Sequence, residues 1–510
     1  MSATIVPYRS QAQGARAGFP QLLRAEWTKF RTVRSWVVGL VVAALLLVAV
    51  GLLSALGSHR VCGSQNGPIA CPSAPVGPEG GPVTDSFSFV HQSLAGDGSI
   101  TARVTGLSSL APWAKAGVVV KNGTGQGSAY AAVLVTGTHG VRMQYDFTHD
   151  TAGLTGAASA SSPRWLRLTR SGDTLTGYDS SDGSNWTRIG TAHLAGLPST
   201  VQIGMFATSP AATQIGASGS SGSSEPTTAT ATLDQVSLQG GTSGAAWKGD
   251  DVGSGSGGQG PQASAGFEQD QATGAFDIRG SGDIAPAVGG PLGDGQAVER
   301  TLVGTFAGLV VVIVLGTLFI TAEYRRGLIR TTLTASQGRG RVLAAKAMVV
   351  GAVAFTTGVV AAVVAVPLCV HMLKANGNVL YPVSLLTELR LVVGTGALLA
   401  VAAVLALAVG TILRRSAGAV TVVIAVIVLP YILASASVLP AGPSEWLLRL
   451  TPAAGFAIQQ SLRAFTQVDS VYTPSFGYFP LSPWAGLAVM CGWAVLALGV
   501  AAYLLRRRDA

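Results

Sequence analysis

Charge is what this 510-residue chain has least of. Asp, Glu, Lys and Arg make up 11% of it, less than half of the roughly 25% of an ordinary globular domain. Hydrophobic residues are 48% and the mean hydropathy is +0.45. A soluble chain of this length has too few charges to cover its surface, and a disordered one would show the opposite balance. With only 4 Cys the sequence is not a disulfide scaffold. Its 66 Gly follow no period of three, which excludes a collagen-like rod. What remains is an integral membrane protein with a large polar insert.

Six stretches are long and apolar enough to cross a bilayer, which takes about 20 residues. They are Trp36–Leu56, Leu302–Thr321, Val349–Val370, Leu391–Leu413, Ala417–Leu439 and Trp484–Leu505, and none contains a charged residue. The first run is longer than the roughly 7–15 residues of a signal-peptide core, so it is read as a retained span. Pro430 predicts a kink in the fifth. Thr321, Thr395 and Thr411 are weak polar candidates within the spans.

The basic residues set the expected orientation. Arg9, Arg16, Arg24, Lys29, Arg31 and Arg34 precede the first span. Arg325, Arg326, Arg330, Arg339, Arg341 and Lys346 follow the second. Arg414 and Arg415 lie between the fourth and fifth, and Arg506, Arg507 and Arg508 follow the sixth. This side collects 17 of the 33 basic residues but only three of the 24 acids, Glu26, Glu323 and Asp509. The other side is net negative. Both termini are therefore expected inside, with residues 57–300 extracellular and the loop after the fifth span also outside. The basic pI is then a topology signal; no compact basic motif points to nucleic acid.

The expected organisation is a cytoplasmic tail with an amphipathic elbow (1–35), the first span (36–56), an extracellular stalk (57–83), an all-β extracellular unit (84–239), a Gly/Ser-rich linker (240–300), and spans two to six (301–510) with an inner loop at 322–348. Cys62 and Cys71, separated by Gly63, Gly67 and Pro68, are candidates for a local disulfide in the outer segment. Cys369 and Cys491 lie in spans and read as small apolar residues. Within the β unit, runs at Ser99–Thr105, Ala116–Lys121, Ala129–Thr136, Val141–Tyr145, Arg164–Ser171, Thr174–Ser180, Thr187–His193, Val201–Thr208 and Leu233–Leu238 alternate with turn residues, including Asp182-Gly183. That spacing predicts an antiparallel β-sandwich.

The phrases PWAKAGVVV, SAYAAVLVTGTHGVRMQYD, WLRLTRSGDTLTGYDSSDGSNW and VQIGMFATS resemble the concanavalin-A-like lectin/glucanase jelly rolls. The resemblance implies two stacked sheets and often carbohydrate binding. Trp113, Tyr178 and Trp186 become candidate glycan-contacting residues, while Trp165, alternating with Arg164 and Arg167, is read as core. Asp173, Asp179 and Asp182 are spaced like turn residues, so no carboxylate pair for glycoside hydrolysis stands out. No metal site is expected.

Two further segments carry the membrane part. In FPQLLRAEWTKFRTVRS, Leu22, Leu23, Trp27, Phe30 and Val33 recur at helical spacing among Arg24, Glu26, Lys29 and Arg31, the pattern of an interfacial helix. In EYRRGLIRTTLTASQGRGRVLAAK, apolar anchors flank Gly338 and Gly340, which suggests two short helices leading into the third span. Together with six spans, these resemble the permease subunit of the type-two ATP-binding-cassette exporter family. The segment LLRLTPAAGFAIQQSLRAF is similar to that family's polar stretch before the last helix. Gln337 stands where Pro is common, and the inserted β unit is unusual.

The resemblance implies alternating access by two six-span halves, the second a copy or a paralogue, driven by a separate cytoplasmic ATPase subunit. It places Glu323, Tyr324, Arg325, Arg326, Gly327 and Arg330 at the ATPase contact. Glu26, Trp27, Lys29 and Phe30 belong to the elbow helix in membrane lipid. Of the six lysines only Lys29 and Lys346 fall inside, and neither precedes Ser or Thr, so neither belongs to a phosphate-binding loop. ATP and Mg are thus expected in the partner, with no cofactor and no catalysis here. The charge-free spans favour an apolar or amphiphilic substrate, and extracellular polysaccharide is a further candidate partner. A glycan-binding receptor or anchor, or a non-transporting envelope sensor, is the alternative.

Overall fold

The computed structural model describes residues 18–59, 61–64, 67–70, 75–215, 222–242, 246–253, 266–288, 295–325, 327, 338–436 and 439–508. Arg326, Arg330 and Cys71 lie outside these residues, as does the side chain of Cys62, so the predicted disulfide and part of the predicted ATPase contact fall outside the description.

Among the described residues, six helices are long and apolar enough to cross a membrane. They are α2 (Arg34–Leu56), α3 (Thr305–Arg325), α4 (Arg339–Ala375), α5 (Leu385–Leu413), α6 (Ser416–Ser435) and α8 (Pro483–Arg508); α1 (Phe19–Thr32) and α7 (Ala441–Leu450) are shorter. Both α4 and α6 run through an internal proline, Pro367 and Pro430, which neighbouring helices allow within a membrane. Charge-free composition marks the middles of the spans, but the helices extend beyond them: α4 continues back to Arg339 through Lys346. The last part of the inner loop is thus not a separate short helix, because residues 339–348 carry no helix breaker after Gly340.

The central helix is α5, packed against α3, α4 and α8. Small residues let the backbones close up: a Cβ on Gly358 of α4 would lie 2.8 Å from Cα of Gly396 on α5, and one on Gly316 of α3 would lie 2.6 Å from the carbonyl oxygen of Ala403. Such contacts substitute for the hydrophobic drive that lipid removes. The 3-10 helix Pro452–Gln459 is wholly buried. It falls within the loop expected outside, yet its apolar residues Phe456 and Ile458 pack into the bundle core. Thr321 and Thr411 bond back to carbonyls of their own helices. Thr395 also receives a hydrogen bond from Gln459 Nε2 at 2.8 Å.

Between α2 and α3 lies a jelly-roll-like sandwich. Its strands are β1 (Val83–Asp85), β2 (Phe87–Ser108), β3 (Lys115–Lys121), β4 (Tyr130–Thr136), β5 (Val141–Tyr145), β6 (His149–Ala152), β7 (Arg164–Ser171), β8 (Thr174–Ser180), β9 (Thr187–His193), β10 (Thr200–Thr208), β11 (Ala229–Thr242), β12 (Lys248–Val252), β13 (Gly266–Gln269), β14 (Phe276–Gly280) and β15 (Ile284–Pro286). One antiparallel ladder runs β9-β8-β7-β2-β10-β3-β4-β5-β6. The long strand β2 belongs to both layers. Its first half pairs with β10 and β12, its second half with β7 and β11. The chain turns between them at Gly96–Gly98, where Gly96 has φ 72° and a Cβ on Gly98 would meet the Gln239 carbonyl at 2.3 Å.

Leu94, Val118, Val133, Leu166, Leu168, Ile203 and Leu233 fill the space between the layers. A second cluster, with Phe87, Phe89, Tyr130, Phe147 and Phe206, covers the other face of the β3–β4 layer. Those strands are therefore buried on both faces.

Residues 240–300, read as a linker, contribute β12, β13, β14 and β15, and Phe276 and Ile278 enter the main core. Their Gly, Ser and Asp content resembles a loop, but these short strands are held by backbone bonds, and β14, paired with β11 and β13, supplies the two apolar side chains that reach the core. Part of the stalk likewise forms a hairpin, Val61–Ser64 with Gly67–Ala70. The sandwich rests on the loops of the helical bundle: Gln467 Nε2 donates to the Thr148 carbonyl at 3.5 Å. A cavity of about 260 Å³ between the two is lined by Glu79, Asp146, Tyr381, Arg463, Phe465 and Tyr478 among others.

Candidate functional site

At the α1 end of the bundle, four charges from three elements converge. The elbow helix α1 brings Glu26 and Lys29, the end of α3 brings Glu323, and the start of α4 brings Lys346. Lys346 Nζ lies 2.6 Å from Glu26 Oε2 and 2.6 Å from Glu323 Oε1. Lys29 Nζ lies 2.9 Å from Glu26 Oε1 and 3.5 Å from Glu323 Oε1. Glu26 is buried on the face of α1 that packs against α4, as the helical stripe dictates, with Phe30 one turn on. The Lys346 side chain is 1% exposed and that of Lys29 is 45% exposed.

Two ammonium groups against two carboxylates leave the cluster neutral, which is what permits its burial. Phe319 forms its floor, 4.9 Å from Lys346 Nζ, wedged between Phe30 and Trp36. Burial pulls the Lys29 ammonium down, and the two carboxylates outweigh it, so its pKa is raised above the ordinary value. Glu323 Oε2 is buried without a hydrogen-bond partner among the described residues.

The structure thus brings together Glu26, Lys29, Phe30 and Glu323. Trp27 stacks on Phe30 and is half exposed. Tyr324 sits beneath Arg414, 5.1 Å from its guanidinium. Arg325 and Gly327 are exposed beyond the cluster, Gly327 at φ 68°. Lys346 is the residue that motif reading passed over. Its signal is a lone lysine inside the apolar run from Val342 to Val350.

At the opposite end, a cavity of about 480 Å³ opens among the 3-10 helix Val298–Leu302, α3, α6 and the buried Pro452–Gln459 segment. Phe306, Tyr431, Phe456 and Phe479 line it, in ring contacts of 4.6–6.3 Å. Glu299 stands at its rim, where Oε2 accepts from the Ser461 backbone and hydroxyl. Burial pushes the Glu299 carboxyl up to about 7. This carboxyl also went unnoticed in the sequence, because it precedes the apolar run.

The glycan candidates divide. Trp113 is 3% exposed, stacked on His139 at 3.9 Å and covered by Arg142, so no sugar reaches it. Trp165 is the reverse case: Leu166 and Leu168 point into the core, and the alternation leaves Trp165 half-buried on the outer face beside Arg103. Tyr178 and Trp186 are half-buried too, with Tyr178 opposite Arg167 in the ladder and Arg167 stacked on Trp186 at 3.9 Å. Asp182 is a turn residue, accepting from the amides of Ser184 and Asn185. Asp179 is not; it lies buried in β8 and accepts from the Leu154 amide. No group of three or more metal-ligating side chains occurs among the described residues.

These features define a multi-pass membrane protein with an antiparallel β insert and a charged knot at one end of the bundle. Residues 184–510 match the family model described as ABC-2 family transporter protein. The chain belongs to that family and is a membrane transport subunit, of a kind that is itself non-catalytic and generally works with an ATP-binding-cassette subunit. No curated protein matches the chain.

Among solved structures, a functionally unknown protein from Saccharomyces cerevisiae is 17% identical, with 33% of this chain and 84% of that chain covered and a TM-score of 0.24. Scytalido-glutamic peptidase with a peptide-based transition-state analogue is 9% identical, with 39% and 98% covered and a TM-score of 0.23. Neither likeness bears on activity.

Proposed function

We propose that this chain is the permease of an ATP-driven exporter, and that a separate ATPase docks on the end of the bundle that carries the four-charge knot. The supporting observation is that Lys346 ties together the elbow helix, the end of the second span and the start of the third. A push on the loop 322–348 would then reach α1, α3 and α4 as one unit. Two such bundles, identical or paralogous, would enclose the pathway, and ATP would favour one of two arrangements through its differential affinity for them. The termini lie inside and the β-domain outside. The charge-free span centres suit an apolar or amphiphilic substrate, and the aromatic outer cavity suits its release.

The test is purification of the tagged protein in mild detergent. A stoichiometric P-loop ATPase is expected, with at least tenfold less recovered when Glu323 and Arg326 are replaced by Ala. No ATPase under several gentle extractions would overturn the reading.

A second reading, glycan binding by the sandwich, draws on one observation: Trp165, Tyr178 and Trp186 share an outer face with Arg103 and Arg167. Arg103 is paired with Asp234, so the rings and the Arg167 guanidinium are what would meet an acidic polysaccharide. Retention of the full-length protein on an acidic-polysaccharide array, lost on Trp186→Ala, would support it.

A further inference from the structure

The strands by which the chain enters and leaves the sandwich, β1 and β15, pair with each other. Each ends beside an aspartate that reaches a lysine on β3. Lys121 Nζ lies 2.7 Å from Asp85 Oδ2 and Lys115 Nζ lies 2.6 Å from Asp283 Oδ1. The two pairs are alike in distance and differ in surroundings.

Lys121 and Asp85 both have side-chain exposures of 0%. Phe87, Tyr130 and Phe147 enclose the ammonium with ring centroids 5.7–5.9 Å away. That is the outer limit of a cation–π contact, so the rings exclude water more than they hold a charge. Asp85 Oδ2 also accepts the Gly127 amide at 2.7 Å, while Oδ1 is buried with no partner among the described residues. Burial drives both groups toward neutrality, raising the Asp85 carboxyl and lowering the Lys121 ammonium. Asp146, whose Oδ1 is also buried without a partner, is near enough for its charge to act on Lys121. By contrast, Asp283 is 10% exposed. Each lysine also donates to a backbone carbonyl, Lys115 to Ile284 at 2.7 Å and Lys121 to Ser128 at 3.1 Å, but no ring encloses Lys115 among the described contacts.

We propose that Lys121 and Asp85 are joined by an intramolecular amide bond. Nucleophile, electrophile and an amide donor are already in place: a desolvated amine is a competent nucleophile, and the Gly127 N–H stabilises negative charge developing on Oδ2. The Nζ lone pair attacks Cγ of the protonated carboxyl. Asp146 takes a proton from Nζ and delivers one to Oδ1. The Cγ–Oδ1 bond breaks, one water leaves, and Oδ2 becomes the amide oxygen. No electrons are exchanged and no cofactor is needed. The product fastens the entry strand to β3, at the junction between the first span and the sandwich.

Peptide mapping decides this on the full-length protein, purified in detergent and reduced before digestion. The expected result is a branched peptide containing both Asp85 and Lys121, one water lighter than its two parts, with no tryptic cleavage after Lys121. Linear peptides of full mass carrying the two unmodified side chains would overturn the proposal and leave an ordinary buried ion pair. Lys115 and Asp283 should map to separate peptides; a link there would overturn the role given to the aromatic enclosure. Lys121→Arg removes the nucleophile, so no branched peptide forms, but its larger guanidinium strains the enclosure. The second variant, Asp146→Ala, tests the relay instead, and a mixture of linked and unlinked chains is expected. Complete linkage in that variant would overturn the assignment of Asp146. None of these outcomes depends on the transport reading.

Discussion

The sandwich and the α1 end of the bundle both bury lysines, and they do so in opposite ways. In the sandwich, Lys115 and Lys121 each meet one aspartate and both lysine side chains are fully inaccessible. At the bundle end, Lys29 and Lys346 share Glu26 and Glu323, and the cluster grades from 1% exposure at Lys346 to 45% at Lys29. A sealed one-to-one pair has one arrangement. A shared network joining three helices can exchange partners while staying neutral, which is what a coupling element needs. The difference places rigidity in the sandwich and adaptability at the end of the bundle where the ATPase is proposed to dock.

The largest effect is expected from Lys346→Met. It leaves two carboxylates with the half-exposed Lys29 as their one cation, an uncompensated negative charge in a class of change that costs about 3–5 kcal/mol. Thermal unfolding in detergent should fall markedly and the ATPase should no longer co-purify. Unchanged melting would mean that the knot is not a structural joint. Asp85→Ala should come next, since it releases β1 from β3 and leaves the Lys121 amine among aromatic rings without its partner. Here the expected readout is protease sensitivity confined to the sandwich, with the helical bundle intact. Loss of both regions together would erase the contrast drawn between them.

Glu299 supplies a pH test. Its folded pKa of about 7 lies above the ordinary 4.5, so the folded state binds the proton more tightly. Its contribution is fully present below pH 4.5 and is lost as pH rises through 7. Melting temperature should therefore decline across that window, and Glu299→Gln should flatten the decline. Lys29→Ala removes the exposed member of the knot and should cost within about 1 kcal/mol. Trp186→Ala, on the outer face of the sandwich, should change stability by no more than about 0.5 kcal/mol; a larger loss would mean that the ring is part of the core.

Much of the architecture was legible from local pattern. Val141–Tyr145, Arg164–Ser171, Thr174–Ser180 and Thr187–His193 are strands at the expected bounds, because each is short, alternating and closed by turn residues. The first half of β2 was not read as a strand, and neither were β12 to β15. Of those in the presumed linker, β12 and β13 pair along edges, where composition carries little signal, and β14, paired on both sides, brings only Phe276 and Ile278 to the core. Trp165 was assigned to the wrong face because the alternation was anchored on arginines, whose long stems can lie on either side of a sheet. For the candidate site, the elbow helix and Glu323 were visible as a basic amphipathic stripe and a charge at a span end. Lys346 was visible only as a residue without a motif, since its partners are 320 and 23 residues away.

The sequence by itself determined that this is a six-span membrane protein with a β insert, because bilayer thickness and strand pleat act on consecutive residues and leave periods that can be read along the chain. Only the tertiary structure decided which charges pair. Asp85 finds Lys121 across 36 residues and Glu26 finds Lys346 across 320. The cost of burying a charge is met by whichever partner folding brings within hydrogen-bond reach, and that proximity has no signature in local order.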